Sequence, residues 1–179
     1  MQPPRSQIRL ANAEEELLPR LIGRVFHVTC GVNLAGILQR SAVLTNDDGS
    51  LTTTFGSSAN SFFRNRSCVP VFDYRSVSDS DLKESLMNCS PWQPADRCAS
   101  HLAFLFLSTE ASSKLRPWME WKTTKSFSEM VVPYVEAGYP GPIPIEAIEE
   151  IVEVEFENGP EHPFLTALRA PPPPRPQGH

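Results

Sequence analysis

Long apolar runs are missing from this chain. No stretch approaches the roughly 20 residues that a bilayer span needs. The opening MQPPRSQIRLANAEEELL lacks the apolar core of a signal peptide, so a cytoplasmic protein is expected. Metal-ligand spacing is missing as well. Cys30, Cys68, Cys89 and Cys98 form no CxxC pair and stand beside no paired histidines, so no zinc site is expected. Free buried thiols in a reducing compartment are the expectation for them. Excess basic charge is also absent: 16 Lys and Arg against 21 Asp and Glu leave a net charge of −5. That argues against a broad basic surface for non-specific nucleic-acid binding. It leaves room for a local basic cleft, and Arg64, Arg66 and Arg75 are close enough in sequence to line one.

What the chain does have is enough apolar residues, 40% of 179, for one ordinary core. There is no internal repeat. The organisation expected is a flexible N-terminus over 1–9, one domain over 10–169 and a Pro-rich disordered tail over 170–179, where APPPPRPQGH stands. Within the domain, helix and strand signals alternate irregularly. ANAEEELLPRLI predicts a short helix that breaks near Pro19. RVFHVT predicts a strand with Val25, His27 and Thr29 on one face and Phe26 and Val28 on the other. VNLAGILQR follows with Val32, Leu34, Ile37 and Leu38 at helical spacing. SLTTT suggests a short strand, and SSANSFFRN a helical turn. CVPVFDYR predicts a strand whose Pro70 belongs near a sheet edge.

SDSDLKESLMNC carries a helix start, with Ser78 or Ser80 as cap and acids in the first turn. HLAFLFLS is a continuous apolar run, as in a strand buried on both faces. TEASSKLRPWMEWKTT is helical with an interruption at Pro117. EMVVPYVEAG predicts a strand, YPGPIP a loop and IEAIEEI a short helix. IVEVEFE alternates as an edge strand with one wet face should, and PEHPFLTAL suggests a last short helix. This order predicts an α+β protein and not a regular βαβ array.

Three stretches hold residues suited to chemistry. In the first, His27 and Thr29 share a strand face just ahead of a helix containing Asn33. A strand end offers backbone donors and acceptors, and imidazole can hydrogen-bond a hydroxyl. In the second, the aromatics Phe72 and Tyr74 share a strand face and Arg75 follows. An aromatic can stack on a cationic planar ring, and arginine suits a pyrophosphate. In the third, Glu129 precedes Met130-Val131-Val132-Pro133, and Glu136 stands seven residues later.

The string FHVTCGVNLAGIL resembles the first motif of the ADP-ribosyltransferase superfamily in its histidine-bearing branch, which includes poly-ADP-ribose polymerases and DarT-like toxins. The glycine that usually follows the motif helix is replaced by Arg40-Ser41-Ala42. CVPVFDYRS resembles the toxin strand that ends in a functional arginine, and SEMVVP resembles the late strand that opens with the catalytic glutamate. The resemblance implies a split antiparallel β core with short flanking helices around an NAD cleft. It implies that His27 binds a ribose hydroxyl, that the backbone of Val28 holds the nicotinamide carboxamide, and that Thr29 and Asn33 support the site. Phe72 or Tyr74 would contact the nicotinamide and Arg75 the pyrophosphate or acceptor. Glu129 is the preferred catalytic residue, because an apolar run follows it, and Glu136 is the runner-up. The implied activity is NAD-dependent mono-ADP-ribosyltransfer to a nucleic acid or protein. NAD serves as substrate and no metal is required. A toxin or defence effector with an antitoxin or inhibitor protein, and no membrane partner, would fit.

Such a transfer needs a carboxylate. Breaking the N-glycosidic bond of NAD passes through an oxocarbenium-like state, as glycoside hydrolysis does, and a carboxylate near the ribose stabilises it. Two other readings use the same residues. One is a metal-independent RNase toxin with His27 or His101, Arg75 and a glutamate as its polar groups. The other is a catalytically inactive interaction module centred on Trp118 and Trp121, three apart on one helix face. A fold-level relation to NAD-dependent RNA 2′-phosphotransferases is a further possibility.

Overall fold

The computed structural model describes residues 2–51, 59–93 and 101–157. In chain order the elements are β1 (Arg5–Leu10), α1 (Ala13–Glu16), α2 (Leu18–Leu21), β2 (Val25–Cys30), α3 (Gly31–Arg40), β3 (Ala42–Val43) and β4 (Cys68–Asp73). They continue with α4 (Asp79–Asn88), β5 (His101–Leu107), α5 (Thr109–Ser112), β6 (Arg116–Pro117), α6 (Met119–Thr123), β7 (Glu136–Pro140), β8 (Ile143–Pro144) and β9 (Ile148–Phe156). Seven strands form one sheet in the order β1-β9-β5-β2-β4-β7-β6, and β3 pairs with β8 in a small ribbon. Only β1 and β9 run parallel; the other pairs are antiparallel. The protein is thus a mixed α+β fold built on a mostly antiparallel seven-stranded sheet with few helices.

Both faces of this sheet are covered. On β5 the alternate residues Leu102, Phe104 and Phe106 pack with Phe26, Val28, Val152 and Val154 under Leu17, Leu21, Leu82, Leu86 and Trp92. The intervening Ala103, Leu105 and Leu107 pack with Val25, Val69, Val71 and Ile151 under Leu34, Val43 and Ile143. A central strand apolar on both faces needs cover on both, which is why HLAFLFL is unbroken by polar residues. The helix starts follow local capping chemistry. Asn12 accepts from the backbone of Glu14 and Glu15, and Ser78 accepts from Asp81 N–H.

Several elements differ from expectation. Residues 5–10 are not loose but form edge strand β1, which pairs along β9. As a result β9 is an interior strand. Its acids Glu153 and Glu155 are met by Arg5 and Arg9 at 2.6 and 3.0 Å, with Gln7 on Glu155 at 2.9 Å. The alternation that reads as a wet edge is an ion-paired seam. The IEAIEEI helix is reduced to a 3-10 turn over Ile145–Ala147 before β9. The late strand begins at Glu136 and not near Glu129, because Glu136 N–H bonds back to Val132 C=O and Tyr134 takes a positive φ of 71°. Cys30 is disulfide-bonded, so the expectation of free thiols holds for Cys68 and Cys89 but not for it. Cys98, most of SLTTT, the start of SSANSFFRN, the PEHPFLTAL helix and the Pro-rich tail lie outside the described residues.

The placing of the cleft follows from one strand pair. β2 and β4 pair only at Val25↔Asp73 and Phe26↔Phe72. Continuing that register would set Val28 opposite Pro70, which has no N–H to donate. The ladder stops there and the two strands part.

Candidate functional site

His27 marks the point of parting. Its Nδ1 lies 2.9 Å from Pro70 C=O. A carbonyl only accepts, so Nδ1 carries the proton of the neutral ring and Nε2 keeps its lone pair. Burial lowers the His27 pKa below the ordinary 6.5, against the opposing pull of the Pro70 bond. The imidazole is therefore neutral at pH 7, with Nε2 an acceptor for a ligand hydroxyl.

The same alternation exposes a backbone pair. Tyr74 N–H donates to Arg24 C=O across the start of the ladder, and Pro70 C=O faces β2. Even-numbered residues of β2 thus turn their polar groups toward β4. Val28 N–H and C=O point into the gap where Pro70 ends the pairing. Among the described residues Val28 has no ladder partner on that side, and a backbone donor and acceptor side by side suit a carboxamide. One residue on, Thr29 is buried, and its Oγ1 accepts from Asn33 Nδ2 at 3.1 Å, tying β2 to the first turn of α3.

The gap opens into a cleft of about 1050 Å³, at the upper end of the roughly 300–1,000 Å³ usual for small-molecule sites. His27, Val28, Thr29 and Asn33 line one side of it, Phe72 and Pro70 the other, and Glu136 stands among the lining residues. Glu136 pairs with Phe72 in β7–β4, and Phe72 pairs with Phe26. Glu136 is therefore two strand spacings, about 10 Å, from the β2 backbone. Its Oε2 accepts from Val132 N–H at 2.6 Å. Its Oε1 has no protein partner among the described residues. Burial pushes the Glu136 carboxyl up to about 7, opposed by the Val132 bond.

Other expected site residues are elsewhere. Glu129 does not line the cleft. Burial alone would raise its pKa, but Asn65 and Arg66 donate to it, with Arg66 at 2.8 Å, and together they hold the carboxyl below its ordinary value. Arg75 closes on Asp73 at 2.6 Å just beyond β4. Tyr74 is buried in the core, edge-on to Phe26 at 5.1 Å. Phe72 stacks on Phe26 at 5.4 Å and still reaches the cleft wall. Trp118 and Trp121 are engaged internally. Trp118 meets Tyr134 edge-on, and Trp121 Nε1–H donates to Glu129 C=O. His101 is not among the residues lining His27's cleft; it packs against Gly31 and lies 3.2 Å from Glu153.

Two cleft residues, Arg40 and Gly36, escape a reading by motif. Their signal was present in the sequence: they fall with Val32, Asn33 and Ile37 on a single helical stripe. Among the described residues, no three His, Cys, Asp or Glu gather as a metal-binding group and no helix is long and apolar enough to cross a membrane. Comparison of the chain with protein-family models, curated proteins and solved structures finds no match in any of the three.

Proposed function

We propose that the cleft binds NAD and that the protein is a mono-ADP-ribosyltransferase acting on a macromolecular acceptor, nucleic acid or protein. The observation that carries this reading is the joint presence in one cleft of His27, the backbone pair of Val28 and the carboxyl of Glu136. Glu136 is more than 100 residues from the other two in sequence; the pairing of β7 on β4 and of β4 on β2 brings it beside them, and the early end of the β2–β4 ladder opens the space between. In this reading Val28 holds the carboxamide and Phe72 flanks the nicotinamide. His27 Nε2 accepts from a ribose hydroxyl.

Glu136 takes the catalytic place first expected for Glu129. Glu136 has an oxygen open toward the cleft, whereas Glu129 is committed to Arg66 and Asn65. As the C1′–N bond breaks, its electron pair leaves with nicotinamide. The Glu136 carboxylate stabilises the positive charge left on the ribose. The acceptor nucleophile then forms the new bond to C1′ and gives up its proton to the carboxylate or to water.

The test is nicotinamide release from NAD, with separate pools of protein, DNA and RNA scored for labelled ADP-ribose. Glu136→Gln should lower the rate on the order of 100- to 1000-fold while NAD still binds. Glu129→Gln should cost far less. Equal loss in the two variants would point to folding, and no release by wild type with any acceptor would end the proposal. Cleavage of RNA in the absence of NAD would favour the RNase reading instead.

A further inference from the structure

We infer that an extended, apolar segment of a partner polypeptide docks along the cleft as an added strand on the open edge of β3. The docking does not depend on any reaction. That the docked chain is the acceptor, which makes the acceptor a protein, rests on the NAD reading.

The β3–β8 ribbon leaves that edge open. Ala42 stands opposite Pro144, and Ile145 N–H donates to Ser41 C=O at 2.9 Å. A bond between the flanking residues marks the facing pair as the non-hydrogen-bonded kind. Pro144 suits that place, because it has no N–H to donate. Ala42 therefore turns its N–H and C=O away from β8, and by alternation Leu44 does the same. The ribbon has two strands, so among the described residues no third strand meets these groups. Ala42, Val43 and Leu44 all line the cleft. An unpaired strand edge is a template for an extended chain.

The rim of the cleft supplies the side-chain contacts. Among the described residues eight large apolar side chains are exposed, and four of them, Val32, Leu44, Leu51 and Met130, line this one cleft. Val32 is 83% exposed and Met130 63%. Apolar groups gathered at one groove mark a contact surface, as scattered ones do not. Charge then selects the occupant. A nucleic-acid strand brings a phosphate with every nucleotide, and the cations among the described lining residues are two arginines, Arg40 and Arg64. A second copy would bring another net charge of −5. An apolar peptide brings neither burden, and a single carboxylate on it would meet Arg40. That residue donates to Gly36 C=O at 3.3 Å and forms no ion pair among the described residues.

The experiment is fluorescence anisotropy of the full chain with a labelled hexapeptide that alternates leucine with threonine and carries one aspartate. Micromolar binding is expected. A β-strand pairs through alternate amides. N-methylation of one alternate set should therefore weaken binding about tenfold, the size of one or two lost hydrogen bonds, and methylation of the other set should not. Val32→Ser and Met130→Ser should each weaken binding several-fold. Ile22→Ser, at an exposed apolar residue away from the cleft, should not. Arg40→Gln should weaken the aspartate peptide and not its asparagine form. No peptide binding at millimolar concentration, equal loss from the two methylated sets, Ile22→Ser matching Val32→Ser, or tighter binding of oligothymidylate would each overturn the docking. So would a mass in sedimentation that doubles with concentration and a peptide that leaves it unchanged. With labelled NAD, the hexapeptide should compete with labelling of a protein pool. Preferred labelling of DNA or RNA would overturn the acceptor assignment. Peptide binding with no nicotinamide release from NAD would overturn the transferase reading and leave the docking standing.

Discussion

Glu136 and His27 put opposite pH dependences into the same cleft. The Glu136 carboxyl is raised from 4.5 to about 7. The unfolded chain therefore loses that proton first, and the stability the group contributes is full below pH 4.5 and lost as pH rises to about 7. From 4.5 to about 7, at 1.36 kcal/mol per unit, the loss is at most about 3.4 kcal/mol. His27 is lowered from 6.5, so its contribution is present above 6.5 and is lost as pH falls. Urea unfolding at pH 4.5, 6 and 8 should show wild type losing stability relative to Glu136→Gln across that range. Parallel curves for the two proteins would contradict the raised carboxyl. Under the proposed chemistry the ionised form is the active one. kcat/KM for nicotinamide release should then climb with pH to a plateau above about 7, since that ratio reports groups of the free enzyme.

At the scale of elements, the strand carrying Glu136 depends on a missing side chain. Gly138 pairs with Pro70 on one side and Arg116 on the other. A Cβ there would lie 2.3 Å from the Phe63 ring and 3.0 Å from Cys68 Cβ. Phe63 is wholly buried in a small cluster with Phe62 and Cys68, against Trp121 and Val131, and has little room to retreat. Gly138→Ala should therefore destabilise by roughly 1–3 kcal/mol as overpacking does, read as a lower urea midpoint with an unchanged slope. No change would mean that the cluster gives way freely. This element also shows where pattern reading stops. Val131, Val132 and Tyr134 have high strand propensity, and Ala137 and Gly138 have low. Yet the strand forms at 136–140 because Phe72 to Cys68 offers it partners, while residues 132–136 close a turn on the Glu136 carboxylate.

For the whole molecule, Arg5–Leu10 complete the sheet. β1 covers the edge of β9 and neutralises Glu153 and Glu155. Removing residues 1–10 should leave that edge unpaired and its acids exposed. The truncated chain should melt at lower temperature and aggregate more readily than the full one. Equal melting temperatures would show that β1 adds nothing to stability. Read from composition alone, MQPPRSQ was expected to be loose. Its apolar residues are too few to bury, and its order comes from a β9 strand about 145 positions away.

Local chemistry determined much of what the chain forms. β2, α3, α4 and β5 arise where alternation, helical spacing and a serine cap place them, because each of those signals acts within a few residues. His27, Val28, Thr29 and Asn33 could be singled out together for the same reason. Only the tertiary structure decided which glutamate shares their cleft, that Arg75 and Tyr74 turn away from it, and that Arg40 faces into it. Those outcomes rest on pairing between strands 40 to 110 residues apart. That pairing is set by which ladder bonds can form, and here by the donor that Pro70 lacks, which no periodicity along the chain records.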